Sequence, residues 1–144
     1  MALTAAMTLA GAATASGQSF IVNEGFEGDV FPPSGWTTVD ADGDGHCWQI
    51  ATSGHATLNG KKIAISYTSN PDNGKDYGGT QDNWLITPQI NVTNDQFNVS
   101  YMCCAEDLDS KEYYELLVSE TGTAPADFTH KLTAETLDNE YEDD

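Results

Sequence analysis

Basic side chains are scarce in this sequence of 144 residues. Five lysines and arginines stand against 23 aspartates and glutamates, so the formal net charge at pH 7 is −18. A surface this anionic repels nucleic-acid backbones and anionic membranes, and we expect neither as a partner. The same charge destabilises the compact state by self-repulsion unless cations neutralise part of it. An acidic surface that only keeps a secreted protein soluble is the alternative interpretation.

Catalytic signatures are also lacking. The three histidines, His46, His55 and His130, fall in no His-Glu-x-x-His or similar metal-binding pattern, and no Gly-x-Ser-x-Gly motif occurs. The many carboxylates could supply a glycosidase pair, but nothing in the sequence selects one. We therefore expect no enzyme activity.

Cysteine is sparse and odd in number. The three residues are Cys47, Cys103 and Cys104, and they form no Cys-x-x-Cys motif for zinc or redox chemistry. At least one thiol must lack a disulfide partner within the chain. Adjacent cysteines on a strand point to opposite faces, so Cys47 could pair with one of the other two. Buried, inert thiols are the favoured interpretation, and the bridge stays open as an alternative.

Long apolar runs are missing apart from a short one near the N-terminus. The segment from Leu3 to Ala15 is uncharged, rich in alanine, threonine and leucine, and followed by small residues up to Gly17. At about 13 residues it is too short to span a bilayer, and it is typical of a secretory signal peptide that lacks a basic n-region. We expect residues 1–17 to be removed. The mature protein is then secreted or extracellular and associated with the cell surface, without membrane insertion.

The sequence does contain a succession of short β-type runs separated by Gly, Pro, Asn and Asp. They are rich in β-branched and aromatic residues, and no window of about 11 residues shows a helical stripe. Strands are predicted at residues 20–22, 36–39, 47–50, 63–67, 84–86, 97–102, 113–118 and 128–132. In one of them, Phe97, Val99 and Tyr101 are expected to share a face.

These runs predict an all-β fold. The short strands and long connections favour a jelly-roll β-sandwich of two antiparallel sheets, with its last strands expected to be missing. We assign residues 18–134 to this domain. Residues 135–144 form either an acidic tail or the truncated end of the domain.

The run Asp40-Ala41-Asp42-Gly43-Asp44-Gly45 carries the clearest chemical signal. Three carboxylates alternate with small residues, and glycine lets the backbone turn sharply, which together suit the oxygen coordination of calcium. The run matches the first half of an EF-hand loop, but Ala51 stands at the twelfth position, where a bidentate glutamate is required. We therefore expect a calcium site in a β-sandwich loop, completed by ligands distant in sequence. A solvated Asp/Gly-rich turn is the alternative.

Two further acidic groups supply candidate calcium ligands. In residues 24–29, Glu27 is the preferred ligand and Asp29 a second candidate; Glu27 is expected to point away from the face that carries Phe26. Residues 106–112 end in Glu112, and their single lysine cannot balance their acids. Ordinary charged surface is the alternative for both groups.

Aromatic residues give a weaker signal. Tyr77 is followed by two glycines in the long segment between residues 69 and 82, so we expect its ring to be exposed. Tyr77 and Trp84 are the candidate ligand-binding residues, because such rings can stack on a sugar or a protein side chain. A position in the core is the alternative for each.

Four segments match a known family in order along the chain. They are residues 23–27 (Asn-Glu-Gly-Phe-Glu), residues 32–45 (Pro-Pro-Ser-Gly-Trp-Thr-Thr-Val-Asp-Ala-Asp-Gly-Asp-Gly), residues 82–88 (Asp-Asn-Trp-Leu-Ile-Thr-Pro) and residues 114–128, which begin Tyr-Glu-Leu-Leu-Val. The chain resembles the cleaved adhesin domain family of gingipain and haemagglutinin adhesins, with the related choice-of-anchor-type modules of Bacteroidetes secreted proteins.

The resemblance implies a jelly-roll β-sandwich stabilised by calcium, with a role in adhesion to host proteins, red cells or haem-proteins. It implies calcium positions at Glu27 and in the loop from Asp40 to Asp44, and an acid at Glu112. The family's closing strands are absent, so we expect a fragment. No peptidase domain accompanies the chain, so the family's proteolysis is not implied.

Three functional hypotheses follow. The first is a secreted, non-catalytic, calcium-binding adhesin module that binds a host surface or matrix protein or a glycan. The second is a carbohydrate-binding or accessory domain of a larger secreted peptidase or glycoside hydrolase, within a multidomain polypeptide. The third is a spacer without a ligand.

Overall fold

The computed structural model describes residues 22–52, 60–92, 98–105 and 111–137, together with the backbone of residues 2–6. These residues contain eight β-strands and one turn of 3-10 helix. The strands are β1 (Ala2–Ala6), β2 (Thr37–Asp40), β3 (Gln49–Thr52), β4 (Lys62–Tyr67), β5 (Asn83–Ile86), β6 (Met102–Ala105), β7 (Glu112–Val118) and β8 (His130–Leu137), and the 3-10 helix is Pro125–Asp127. The all-β prediction is confirmed. Within these ranges, no helix has the length and apolar character needed to cross a membrane.

The strands form three antiparallel sheets in the described residues. A four-stranded sheet has the order β3-β4-β1-β6, and two smaller sheets pair β2 with β5 and β7 with β8. The sequence predicted a sandwich of two sheets, whereas the described strands are divided among three. The jelly-roll connectivity stays a prediction.

β4 is an inner strand with both faces buried. Ile63 and Ile65, which are 2% and 0% exposed, lie on one face and pack against Ala51 of β3 and against Met102 and Cys104 of β6. Alternate residues of a strand point to opposite faces, so Ala64, between the two isoleucines, lies on the other face. Burial of each isoleucine contributes about 1.5–3 kcal/mol to folding.

An aromatic cluster covers that second face. Ala64 of β4 packs against Phe26 and Trp36. Leu85 of β5 contacts the same cluster, as does Trp48, which immediately precedes β3. The rings of Phe26 and Trp36 meet edge to face, with centroids 5.3 Å apart. Because Trp36 immediately precedes β2, the cluster joins the four-stranded sheet to the β2–β5 sheet. This layering is the β-sandwich that the sequence predicted.

Phe26 reaches the core from an irregular segment. Its φ is 59°, a left-handed conformation that is unusual for a bulky residue, and its amide donates a hydrogen bond of 2.6 Å to Glu24 Oε1. The side chain is only 1% exposed, and its burial offsets a backbone cost of about 1–3 kcal/mol. Residues 24–27 are not in a strand, and the backbone bends at Phe26.

The predicted signal peptide contributes a strand in the structure of the full chain. Residues 2–6 form β1, which lies between β4 and β6 and is antiparallel to both. Residues 1–17 were predicted to lie outside the fold, but residues 2–6 pair with two strands in the structure. Removal of this segment on secretion stays a prediction.

Several predicted strands are shifted along the chain. The strand predicted at residues 97–102 begins at Met102 and continues to Ala105, because its pairing with β1 starts there. Val99 and Tyr101 are not in a strand, so the face that they were expected to share does not form. Phe97 lies outside the described residues, as do Phe20 and Ile21 of the first predicted strand, and Val22 is not in a strand.

The last described strand crosses the boundary placed after residue 134, since β8 continues to Leu137. The division into domain and tail stays a prediction. Glu135 pairs with Tyr114 in the β7–β8 ladder, and its Oε2 accepts a hydrogen bond of 2.9 Å from the Tyr114 hydroxyl. Residues 138–144 of the predicted acidic tail lie outside the described residues.

All three cysteines are half-buried thiols. Burial raises the pKa of Cys47 and of Cys103, which keeps both in the neutral form at pH 7. Cys103 and Cys104 point to opposite faces of β6, and Cys104 packs in the isoleucine cluster. The prediction of small, inert, partly buried side chains fits this arrangement.

Candidate metal centre

The acidic loop begins at the last residue of β2. Asp40 pairs with Asn83 of β5, and the chain then turns before β3 starts at Gln49. Gly43 and Gly45 have φ values of 74° and 85°, a left-handed conformation that other residues adopt only at a cost. These two glycines bend the backbone so that the neighbouring carboxylates point to one place.

Asp40 organises this turn with both carboxylate oxygens. Its Oδ1 accepts a hydrogen bond of 2.7 Å from the Gly43 amide, and its Oδ2 accepts one of 2.9 Å from the Gly45 amide. Partial burial is the largest single influence and raises the pKa of Asp40, but hydrogen bonds from the backbone amides of Gly45, Gly43 and Asp44 lower it. The pKa therefore lies below its usual value, and the carboxylate is ionised at neutral pH.

Asp42 and Asp44 connect the loop to the segment that precedes β5. Asp42 Oδ2 accepts a hydrogen bond of 2.8 Å from the Asp82 amide, and Asp44 Oδ2 accepts one of 3.1 Å from Gln81 Nε2. The remaining oxygens stay within the loop: Asp42 Oδ1 accepts from the Asp44 amide at 3.3 Å, and Asp44 Oδ1 accepts from the His46 amide at 2.7 Å. Two segments distant in sequence thus hold the three carboxylates.

The three carboxylates form a group of the size that a calcium ion needs. One oxygen from each of Asp40, Asp42 and Asp44 lies within 4.8 Å of the others. Calcium binds oxygen at about 2.3–2.6 Å, so two ligands on opposite sides of the ion are about 5 Å apart. Each carboxylate oxygen has two lone pairs, and the amide hydrogen bonds described above use one of them. Three like charges this close repel one another, and a divalent cation relieves that repulsion.

His46 and Tyr77 form a stacked pair beside the loop. Their ring centroids are 3.4 Å apart and the planes are inclined by 11°. Tyr77 is half-buried, and its amide donates a hydrogen bond of 3.0 Å to the Thr68 carbonyl. The expected exposed ring is therefore covered on one face by the imidazole. Its role in ligand binding stays a prediction.

Trp84, the second candidate ligand-binding residue, belongs to β5. Its Nε1 donates a hydrogen bond of 2.7 Å to Asp82 Oδ1, and its ring packs against Phe128 with centroids 5.5 Å apart. The side chain is half-buried. Trp84 thus contacts Asp82 of the segment that holds the acidic loop, and Tyr77 contacts His46, which directly follows that loop.

Glu27 and Asp29 are not part of the Asp40–Asp44 group. Glu27 Oε1 accepts hydrogen bonds from the amides of Lys61 at 2.7 Å and Lys62 at 3.0 Å, which lower the pKa of Glu27, with the larger contribution from Lys62. Asp29 Oδ1 forms an ion pair of 2.8 Å with Lys62 Nζ, and this contact lowers the pKa of Asp29. These acids anchor the start of β4, and their proposed role as calcium ligands stays a prediction.

Glu112 is the first residue of β7 and is 4% exposed. Ionised carboxylates are seldom buried without compensation, because their removal from water costs several kcal/mol. The alternative interpretation of residue 112 as charged surface is therefore wrong. Among the described residues, the one group of three metal-binding side chains close together is Asp40, Asp42 and Asp44, so Glu112 stays a predicted ligand without a place in that group.

Sequence reasoning missed two residues of this site, Gln81 and Asp82. Both contact the acidic loop across about 40 residues of sequence, and the Asp82 carbonyl also accepts a hydrogen bond of 2.9 Å from the Ala41 amide. Asp82 opens the segment Asp-Asn-Trp-Leu-Ile-Thr-Pro that carries part of the family resemblance, which was the available signal.

Comparison with known sequences identifies the family. The model of the Cleaved Adhesin Domain family matches residues 19–142, nearly the whole chain after the predicted signal peptide. The chain belongs to the cleaved adhesin domain family. No solved structure is significantly similar to it.

The curated relatives are large proteins of Porphyromonas gingivalis. Hemagglutinin A is 35% identical over 122 residues, a match that covers 83% of this chain and 6% of the relative. Lys-gingipain is 37% identical over 118 residues, a match that covers 75% of this chain and 7% of the relative. Protease PrtH is 31% identical over 101 residues, a match that covers 67% of this chain and 9% of the relative. The chain thus spans less than a tenth of the length of each of these relatives.

Proposed function

We propose that this protein is a secreted, non-catalytic adhesin module whose acidic loop binds calcium. The observation that carries the proposal is the group formed by Asp40, Asp42 and Asp44, with carboxylate oxygens within 4.8 Å of one another. Hard oxygen ligands at this spacing suit calcium better than softer metals. Waters and backbone carbonyls would complete the coordination, which for calcium comprises about 6–8 oxygens.

Calcium in this loop stabilises the binding surface. The loop is hydrogen-bonded to Gln81 and Asp82, and the same segment carries Tyr77 and Trp84. An ion that binds only the folded state shifts the folding equilibrium by about 2.7 kcal/mol at a hundredfold excess over its Kd. Because the protein is strongly negative, the folded state is stabilised further when the ion neutralises part of its charge.

We propose a host surface or matrix protein, or a glycan, as the partner. The rings of Tyr77 and Trp84 are half-buried at the edge of a polar loop, where aromatic rings commonly contact sugars and protein side chains. One relative is named Hemagglutinin A, and agglutination of blood cells depends on binding to their surface. A signal peptide at residues 1–17 places the module outside the cell, where millimolar calcium is available to weak sites.

The calcium proposal is tested by titration calorimetry of the full chain with calcium chloride. A Kd of about 10⁻⁴–10⁻³ M is expected, as in other extracellular modules. Asp42→Asn is expected to weaken binding about tenfold or more, because it removes one of the three charges. Asp72→Asn is the matched control, since Asp72 is an exposed acid outside the group, and it should bind as the parent does. Absence of heat at millimolar calcium would reject the site.

An accessory role in a larger secreted enzyme is the second candidate. Two relatives are named as a gingipain and as a protease, and this chain matches 7% and 9% of their lengths. In that case the module directs a catalytic domain to its substrate. A glycan array and a panel of immobilised host proteins separate sugar binding from protein binding, and a lack of saturable binding in both would favour a spacer.

A further inference from the structure

Residues 70–75 form a turn in the long connection between β4 and β5. The Gly74 amide donates a hydrogen bond of 2.8 Å to the Asn70 carbonyl, and the Asn70 amide donates one of 2.8 Å to the Lys75 carbonyl. Gly74 has a φ of 68°, a left-handed conformation that glycine adopts readily. Every residue from 71 to 76 is exposed, so water reaches this part of the turn.

Asn73 directly precedes this glycine, and its side chain is held against the backbone. Its Oδ1 accepts a hydrogen bond of 3.0 Å from the Lys75 amide. A donor at a carbonyl oxygen stabilises the negative charge that develops there when a nucleophile attacks the carbonyl carbon. The Lys75 amide therefore makes Asn73 Cγ a better electrophile. Gly74 has no side chain to hinder the approach of its own nitrogen to that carbon, and the space where a Cβ would lie is open.

Two hydrogen bonds to Asn70 oppose this attack while the turn is closed. The Gly74 nitrogen must lose its proton to become a nucleophile, and in the closed turn it donates that proton to the Asn70 carbonyl. Asn70 Oδ1 also accepts a hydrogen bond of 2.8 Å from the Asp72 amide. Exposed backbone hydrogen bonds in loops open at a small cost in free energy. The reaction therefore proceeds from the open turn, and its rate follows the open fraction.

We propose that Asn73 is a site of spontaneous modification, at which its side chain cyclises onto Gly74 and is then hydrolysed. The deprotonated Gly74 nitrogen forms a bond to Asn73 Cγ. The bond from Cγ to Nδ2 breaks, and Nδ2 takes up a proton and leaves as ammonia. Water then opens the resulting succinimide at either ring carbonyl, which gives aspartate or isoaspartate. The net reaction consumes one water and releases one ammonia, with no oxidation or reduction.

The modification changes both the charge and the length of the turn. Either product adds a carboxylate close to Asp72 and Asp76, which are exposed acids, and like charges repel one another. Isoaspartate also adds one methylene to the main chain. The extra atom lies inside the loop that the antiparallel bridge between Ser69 and Asp76 closes, so we expect this bridge to weaken.

The consequence reaches Tyr77, the residue that follows this bridge. Its amide donates a hydrogen bond of 3.0 Å to the Thr68 carbonyl, and its ring stacks on His46. A turn with a longer main chain holds this amide less firmly. Modification of Asn73 therefore loosens the attachment of a candidate ligand-binding ring. The reaction itself depends on neither calcium nor a partner, so it can be tested apart from the proposed function.

The test is incubation of the full chain at mildly alkaline pH and physiological temperature. Peptide mapping by mass spectrometry separates Asn73 from Asn59, which also precedes a glycine and lies outside the described residues. Methyl transfer by an isoaspartyl methyltransferase measures the isoaspartate. Asn73→Gln is the matched control, because it keeps the amide but forms the larger ring slowly. Asn70→Ala removes the side chain that accepts the Asp72 amide, and a synthetic peptide of residues 68–79 reports the reaction without the fold.

Asn73 is expected to convert to aspartate and isoaspartate in the parent chain, more slowly than in the free peptide. Asn70→Ala should convert about threefold or more faster than the parent, because a hydrogen bond that keeps the turn closed is lost. Hydrogen exchange at the Tyr77 amide should be faster in the converted protein. An Asn73 that stays intact in the full chain while the peptide converts would overturn the proposal. Unchanged exchange at Tyr77 after conversion would overturn the effect on that residue.

Discussion

Asp42 Oδ2 accepts a hydrogen bond of 2.8 Å from the backbone amide of Asp82, 40 residues further along the chain. The Ala41 amide donates in return to the Asp82 carbonyl at 2.9 Å. The acidic loop is therefore held by the segment that leads into β5.

Removal of calcium is expected to lower the melting temperature of the full chain by about 5–10 °C. The reason is that saturating calcium contributes about 2.7 kcal/mol, and for a domain of this size each kcal/mol corresponds to about 3 °C. Differential scanning calorimetry in excess calcium and in excess EDTA measures the change. Asp40→Asn should lose most of this EDTA sensitivity. Identical melting temperatures in the two buffers would argue against a structural calcium ion.

The stability of the protein is expected to fall in acid as Glu27 becomes protonated. Its pKa is lowered from the ordinary 4.5 by hydrogen bonds from the amides of Lys62 and Lys61. A carboxyl group with a lowered pKa in the folded state stabilises the protein above its unfolded pKa, and this contribution is lost as the pH falls through the folded value. The loss therefore occurs below pH 4.5.

Urea unfolding between pH 3 and pH 7, with EDTA present, measures this contribution. Glu27→Gln should be less stable than the parent near neutral pH, and the difference should shrink toward pH 3. Glu120→Gln is the control, because Glu120 is an exposed acid at a loop position. A difference between parent and Glu27→Gln that is constant with pH would show that the charge of Glu27 does not stabilise the fold.

Gly60→Ala is expected to destabilise the protein by about 1–3 kcal/mol. Gly60 has a φ of 146°, and a Cβ atom at this position would lie 2.1 Å from Glu27 Oε1. The added methyl group must displace the Glu27 carboxylate, which accepts hydrogen bonds from the amides of Lys61 and Lys62. The alanine also strains the backbone. Gly28→Ala is the matched control, because no atom lies within 4 Å of its Cβ position. Its free energy of unfolding should change by about 0.5 kcal/mol or less.

Tyr77→Ala and Trp84→Ala are expected to weaken adhesion to immobilised red-cell membrane proteins about tenfold. Aromatic anchors at an interface commonly contribute 1–2 kcal/mol or more to binding, which corresponds to that change in affinity. Tyr113→Ala removes an aromatic ring that is 59% exposed on β7 and serves as the control. Surface plasmon resonance in calcium measures all three. Equal losses for the three variants would indicate a general effect and not a defined site.

The local sequence pattern predicted most strands correctly. The runs at residues 63–67, 84–86 and 113–118 fall within or next to β4, β5 and β7, because alternating apolar and β-branched residues suit a half-buried extended chain. β6 was shifted, since Val99 and Tyr101 have the right alternation but the partner strand begins opposite Met102. Pairing with a distant strand decides such boundaries, and alternation within one segment does not contain that information.

The candidate site was predicted in part. The spacing of Asp40, Asp42 and Asp44 already indicated the carboxylate group, because a turn of glycines brings alternate residues together. Gln81 and Asp82 were missed, since their contact with the loop depends on the pairing of β2 with β5. Glu27, which the sequence predicted as a ligand, accepts hydrogen bonds from the amides of Lys61 and Lys62, and its role at an ion stays a prediction.

By itself the sequence determined the all-β character, the family and the acidic loop, because each depends on residues that are neighbours along the chain. Tertiary structure alone decided which backbone donors the carboxylates of Asp42 and Glu27 meet, how deeply Glu112 is buried and where Ala2–Ala6 pairs. These are long-range contacts, and they are selected by the burial of the β4 core and by the completion of hydrogen-bond ladders. A residue type can indicate what chemistry is available, but the partners that a charge or a strand edge finds depend on segments that only folding brings together.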